Sequence, residues 1–264
     1  MTLSVVVVYP DLLGTYGDGG NGVVLARRAE WRGFDVELVE APSDRPVPFG
    51  DVYVLGGGED GPQLRAADML RADGTLERRV SEGAAVLAVC AGYQIVGTGF
   101  PAADGRPLPG VGLLDVATTK GAGRRAVGEI VAEPFDKTLP LLTGFENHGG
   151  VTALGPSARP LASVVSGVGN GDGTEGARQG HVVGTYLHGP VLARNPALAD
   201  LVLGWAVGAD EALAPLDDAE EEALRAERLG SVLGRLGRLG RLGRLGRYGA
   251  TSGRPRRRGG RSNG

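Results

Sequence analysis

Ala84-Ala85-Val86-Leu87-Ala88-Val89-Cys90-Ala91-Gly92-Tyr93-Gln94-Ile95-Val96 is the stretch on which the fold turns. Its six leading apolar residues suit a strand buried on both faces, and the pattern after the cysteine suits a helix that opens at once. The same strand-to-helix grammar recurs upstream. Ser4 to Tyr9 is a valine-rich strand; a loop with five glycines follows, and Val23 to Arg32 has the spacing of an amphipathic helix. Val36 to Val39 and Asp51 to Leu55 read as strands, the second ending in Gly56-Gly57-Gly58, while Pro62 to Leu70 and Leu76 to Glu82 read as helices. Such alternation implies an α/β fold with a doubly wound, mostly parallel sheet.

From Gly110 onward the pattern changes to short strands between glycine-rich turns, at Ile130 to Ala132, Thr143 to Phe145, Leu161 to Val165 and His181 to Leu187. These are expected to add antiparallel strands to the sheet. Asn195 to Val207 and Asp217 to Arg228 have helical spacing, the latter acidic early and basic late. The reading is one domain over residues 1–209, a C-terminal helix over 210–228 and a low-complexity Arg-Leu-Gly tail over 229–264. Glycine at every third position there carries the largest entropy cost a helix can meet short of proline, so the tail is expected to be disordered.

The 264 residues contain one cysteine, so no internal disulfide exists and a reducing compartment is expected. The start lacks the basic and small-residue pattern of a signal peptide, and no apolar run reaches membrane-spanning length. The expected location is the cytoplasm, at the inner face of the membrane if the tail engages lipid. Residues 228–264 hold 11 arginines and no acid, which leaves 17 basic against 31 acidic residues before them. An acidic body excludes a specific nucleic-acid-binding core, whereas the tail suits weak contact with an anionic membrane. One cysteine and three scattered histidines give no metal-ligand cluster, and the chain lacks a Walker A loop for ATP.

A lone cysteine after an apolar run is ordinarily a core residue. Cys90, however, falls at the carboxyl end of a parallel strand, where open α/β sheets bind ligands, and small neighbours at Ala91 and Gly92 suit a tight nucleophile elbow. The helix N-terminus beyond it favours an anionic sulfur. An oxyanion formed on attack needs backbone N–H donors, for which Ala91 and one of Gly57 and Gly58 are placed. His188 ends the last strand and is the candidate base, with His148 its competitor; His181 belongs at that strand's opposite end.

Cys90-Ala91-Gly92-Tyr93-Gln94 resembles the Cys-x-Gly-x-Gln elbow of class I (triad-type) glutamine amidotransferases, which are flavodoxin-like in fold. Thr185-Tyr186-Leu187-His188-Gly189 resembles the histidine strand of their cobyric-acid-synthase-like branch. With Tyr16-Gly17-Asp18-Gly19-Gly20-Asn21, Gly56 to Asp60 and Gly144 to Gly150, the chain is similar to the amidotransferase subunits of lipid II isoglutaminyl synthases over about residues 4 to 207. The resemblance implies Cys90 as nucleophile, His188 as base and Arg125 as the arginine that binds L-glutamine, with Arg124 the neighbouring alternative. It also implies Gly57, Gly58, Ala91, Gln94 and Asn147 in substrate binding. It implies a heterodimer with a Mur-ligase-like partner (MurT) that holds ATP and magnesium and carries lipid II as acceptor, no cofactor in this subunit, and a cobyrinic-acid-type acceptor as the alternative. The larger family places a glutamate two residues after the histidine; here Pro190 stands there. No in-chain orienter is evident from the sequence: either a Cys-His dyad suffices, or a carboxylate from Asp18, Glu146 or the partner orients His188.

Overall fold

A computed structural model describes residues 2–208 and 213–248. The first half alternates as the sequence predicts. Strand β1 (Thr2–Val8) leads through helix α1 (Pro10–Leu13) to α2 (Gly20–Glu30); β2 (Asp35–Ala41) and β3 (Val52–Leu55) follow. Helices α3 (Asp60–Asp73) and α4 (Thr75–Ser81) precede β4 (Ala85–Val89) and the short α5 (Ala91–Val96). The second half holds β5 (Gly99–Pro101), β6 (Pro107–Pro109), β7 (Val116–Lys120), β8 (Ala126–Pro134), β9 (Leu142–His148) and β10 (Gly150–Leu154). After these come β11 (Ala162–Ser166), β12 (Thr174–Glu175), β13 (Ala177–Gln179), β14 (Val182–Thr185), α6 (Val191–Arg194), α7 (Pro196–Ala206) and α8 (Ala219–Tyr248).

The main sheet runs β13-β14-β4-β3-β1-β2, parallel except for its edge strand β13. Every residue of β3, β4 and β14 is buried, which is why those strands read as unbroken apolar runs. Helices α2 and α7 pack on each other and on this sheet, while α3 packs with α1 and α5. The order brings the carboxyl ends of β1, β3, β4 and β14 side by side, so the Tyr16–Asn21 loop, the triple glycine, Cys90 and His188 all emerge at one edge.

Most of the second half departs from the expected arrangement. Strand β14, expected to be antiparallel, joins the main sheet parallel to β4, and only β13 adds an antiparallel strand there; β5 to β12 build two separate four-stranded sheets, β10-β7-β5-β6 and β12-β11-β8-β9. Strands β9 and β10 are separated by Gly149 alone yet belong to different small sheets, so this hairpin joins them. Strand β9 also reaches the main sheet's edge: Phe145 N–H donates to His188 O at 3.1 Å, and His188 N–H to Phe145 O at 2.8 Å.

The C-terminal boundaries are corrected as well. The helix expected over 210–228 begins at Ala219 and continues to Tyr248, through much of the segment expected to be disordered; residues 249–264 lie outside the described residues. Leucine and arginine are strong helix formers that offset much of glycine's cost of about 1 kcal/mol per residue, and Glu220, Glu221 and Glu222 complement the helix dipole in the first turn. No helix among the described residues is long and apolar enough to cross a membrane.

The start of α8 is tied to the body by Arg28 of α2, whose side chain is 3% exposed. Its Nε and Nη2 donate to Asp200 of α7, each at 2.8 Å, and Nη1 and Nη2 to Asp218 at 2.5 and 2.9 Å. Removing one partner of a buried ion pair leaves the others uncompensated. Arg28→Ala is therefore expected to lower unfolding free energy by about 3 kcal/mol in urea titration. The exposed neighbour substitution Arg27→Ala, which breaks only a pair with Glu30, is expected to cost under about 0.5 kcal/mol.

Candidate active site

Cys90 sits between β4 and α5 with φ 53° and ψ −104°, a left-handed backbone that costs a residue with a side chain free energy. Neighbouring backbone holds it there. Cys90 N–H donates to Thr185 O at 2.8 Å, which locks the elbow to the histidine strand, and Gly92 N–H donates to Gly56 O at 3.1 Å, which locks it to the glycine loop. A side chain at Gly92 would stand 2.8 Å from Leu55, so the close approach of elbow and β3 requires glycine.

His188 follows directly on the Thr185 to Leu187 turn and is buried. Its Nδ1 donates to Asp18 Oδ2 at 2.8 Å, and the same oxygen accepts Gly57 N–H at 3.0 Å. Asp18 is fully buried, and with Nδ1 so engaged the Nε2 face is left for chemistry. The orienting carboxylate thus comes from the glycine loop after β1, at a distance of 170 residues in sequence. Glu146, the other in-chain candidate, is turned away: its oxygens accept Val168 N–H and Gly169 N–H at 2.9 to 3.1 Å and face His148.

Nε2 of His188 has no conventional hydrogen-bond partner among the described residues, although Cys90 is close enough to act on the ring electrostatically. Burial opposes a charged imidazole, but the Asp18 carboxylate and the Cys90 sulfur outweigh it and push His188 up to about 10. His188 and Cys90 thus stand together at the sheet edge, the base and sulfur that nucleophilic catalysis by a cysteine needs.

Cys90, Ala91, Gln94, Gly58, Arg125 and His148 line one cleft of about 280 Å³. The N–H groups of Ala91 and Gly58 carry no intramolecular hydrogen bond among the described residues and remain available to an oxyanion. Gly57 does not serve in that way, which corrects its expected substrate-binding role: its N–H is spent on Asp18. Its lack of a side chain has another cause, since a Cβ there would lie 2.8 Å from His188 Cε1 and 2.9 Å from Tyr16. Of the two adjacent arginines, Arg125 lines the cleft and Arg124 does not. Arg125 Nε donates to Asn147 Oδ1 at 2.6 Å and Nη2 to Asn147 O at 2.9 Å, so Asn147 aims the guanidinium; the Cys90 thiol lies 3.9 Å from the same carbonyl. Gln94 is fixed on both sides, its Oε1 accepting from Gln63 at 2.9 Å and its Nε2 donating to the Tyr186 hydroxyl at 3.2 Å.

Tyr16 is a site residue that sequence chemistry alone does not single out. Its ring stands 4.7 Å from that of His188, and its hydroxyl accepts Asn147 Nδ2 at 3.3 Å, so it bridges base and arginine. The signal available was its membership of the Tyr16 to Asn21 segment. His181 lies at the far end of β14, bonded to Gly83 O and stacked on Trp205, as its position in the strand suggests.

Two outcomes follow from the Asp18 contact. Because the folded value of His188 lies above the ordinary 6.5, its stabilising contribution is complete below about 6.5 and is lost as pH rises through about 10. In Asp18→Asn this alkaline loss of stability is expected to shrink, as read by thermal melts between pH 6 and pH 10, a range that brackets the transition. The rate of Cys90 alkylation by iodoacetamide near neutral pH is expected to fall about tenfold in the same variant, because His188 loses the contact that holds it beside the sulfur. Gly57→Ala is expected to displace His188 and depress alkylation similarly; unchanged alkylation in both variants would refute the assigned contact.

Known proteins resemble the chain over most of its length. A family model described as the CobB/CobQ-like glutamine amidotransferase domain matches residues 4–196. The chain is 36% identical over 204 residues to the lipid II isoglutaminyl synthase (glutamine-hydrolyzing) subunit GatD of Streptococcus pneumoniae, covering 75% of this chain and 77% of the relative. It is 35% identical over 198 residues to the GatD subunit of Staphylococcus aureus, covering 73% and 79%. Among solved structures, one described as a glutamine amidotransferase superposes with a TM-score of 0.53 at 23% identity, over 76% of this chain and 98% of that one, which supports the fold. With nucleophile elbow, histidine strand and domain match in agreement, the chain belongs to the CobB/CobQ-like glutamine amidotransferase family.

Proposed function

We propose that this chain is the glutaminase subunit of an enzyme that amidates lipid II. It hydrolyses L-glutamine and delivers the ammonia to a Mur-ligase-like partner (MurT), which uses ATP and magnesium to activate the D-glutamate α-carboxylate of the peptidoglycan stem and forms D-isoglutamine. The observation that carries the glutaminase part is the positive-φ Cys90 beside the Asp18-oriented His188, in a cleft whose far wall presents Arg125. The lipid II acceptor is supported by the 35 to 36% identity to two GatD subunits across about three quarters of each chain.

In this reading Arg125 holds the α-carboxylate of glutamine bidentately, and Gln94 and the cleft floor turn its side-chain amide toward the sulfur. The Cys90 thiolate attacks the carboxamide carbon, and the oxyanion accepts the N–H groups of Ala91 and Gly58. The C–N bond breaks as the imidazolium of His188 gives its proton to the departing nitrogen, releasing ammonia and leaving a γ-glutamyl thioester. Neutral His188 then takes a proton from water as that water attacks the thioester, and glutamate leaves with the thiolate restored. No cofactor enters any step. Asp18 holds the ring throughout in the orientation that leaves Nε2 to the substrate.

The test is chemical labelling followed by turnover. Incubation with 6-diazo-5-oxo-norleucine, an electrophilic glutamine analogue, is expected to add one adduct at Cys90 by mass spectrometry and to abolish glutamine-dependent amidation of lipid II by the complex. Exogenous ammonia is expected to restore that amidation, because only the source of nitrogen has been removed. Absence of a Cys90 adduct in the complex would overturn the glutaminase reading; an adduct without loss of lipid II amidation would overturn the acceptor.

A further inference from the structure

Three buried ionisable groups on the small-sheet side of the cleft take no part in that chemistry. Glu146 and His148 are each 3% exposed and Glu175 is fully buried. His148 Nδ1 donates to Gly150 O at 3.0 Å, its ring stacks on Tyr186 with centroids 3.7 Å apart and planes 12° apart, and Nε2 faces Glu146 Oε2 at 3.5 Å. Glu146 is held in turn by the Val168 and Gly169 N–H groups. Tyr186 is fixed at both ends, since its hydroxyl bonds Thr152 at 2.7 Å and its backbone N–H donates to Glu175 Oε1 at 2.9 Å. Burying so many polar groups is costly, and a site that tolerates the cost is one in which position matters.

What lies between the two residues is Asn147. Side chains alternate along a strand, so Glu146 and His148 point to the buried face of β9 while Asn147 points to the other, where its amide and carbonyl both receive Arg125. We propose that Glu146 and His148 are a positioning pair for glutamine recognition, clamping β9 on either side of Asn147 so that Arg125 is aimed at the substrate α-carboxylate. This rests on the reading of Arg125 as the glutamine-binding arginine. The pair acts through Asn147 and governs affinity for the amino-acid end of the substrate; the reactivity of Cys90 is set separately by Asp18 and His188.

Two electrophiles separate these roles in the intact chain. 6-Diazo-5-oxo-norleucine carries the α-carboxylate that Arg125 would bind, and iodoacetamide does not, so both alkylate Cys90 but only the first needs the arginine. In Glu146→Gln, close in shape and outside the cleft lining, the rate with the glutamine analogue at limiting concentration is expected to fall about tenfold or more, with the iodoacetamide rate within about twofold of the parent. Should circular dichroism show Glu146→Gln to be misfolded, Glu146→Asp is measured instead with the same expectation. Equal change, or no change, in the two rates overturns the proposal. Arg125→Ala distinguishes the cause: if it too spares the glutamine analogue, the arginine assignment itself fails, whereas a loss there without one at Glu146 sinks only the positioning pair.

Discussion

A single carboxylate oxygen organises the reactive edge. Asp18 Oδ2 accepts from both His188 Nδ1 and Gly57 N–H, and so it fixes the histidine and the glycine loop with one atom. A fully buried carboxylate is tolerated only where donors replace its lost water, and here those donors are the two elements that the site needs in register. The position of His188 and the close fit at residue 57 follow from that contact, which together with the Cys90 sulfur outweighs burial and pushes His188 up to about 10. The frame around it is the strand order, which ends four parallel strands side by side and delivers loops from distant parts of the sequence to one place.

The recognition half of the cleft obeys a different logic. Its residues come from the loop before β8, from β9 and from the turn into β10, on the side of the small antiparallel sheets, and Arg125 is placed there by two hydrogen bonds to Asn147. Chemistry therefore rests on the rigid central sheet and recognition on its flank, joined where Phe145 and His188 exchange backbone hydrogen bonds.

The parallel core was legible because its strands are buried on both faces, and continuous apolar runs such as Ala85–Val89 leave little ambiguity. Cys90 and His188 were legible for a related reason: they end such runs. Asp18 was legible only as one of three candidates, since it lies in a glycine-rich loop with no periodicity, and its partner is 170 residues away. The small sheets were not readable as separate bodies because strands as short as β12, of two residues, and β5 and β6, of three, carry too little pattern to declare their neighbours. The triple glycine looked like a set of interchangeable oxyanion donors; what separates Gly57 from Gly58 is a tertiary hydrogen bond that local sequence does not encode. The Arg-Leu-Gly repeat misled in the opposite direction, because glycine's cost was weighed without the propensity of the leucines and arginines between.

The reciprocal bond between Phe145 and His188 has a bearing on how substrate gets in. Strand β9 bears Asn147, the arginine's support, and its backbone is fastened to the base itself at 2.8 and 3.1 Å. Such a wall cannot swing outward as a door without uncoupling the catalytic histidine from its own strand end. Access to the cleft therefore leaves this wall in place, since a displacement of β9 at Phe145 would be felt at once at His188.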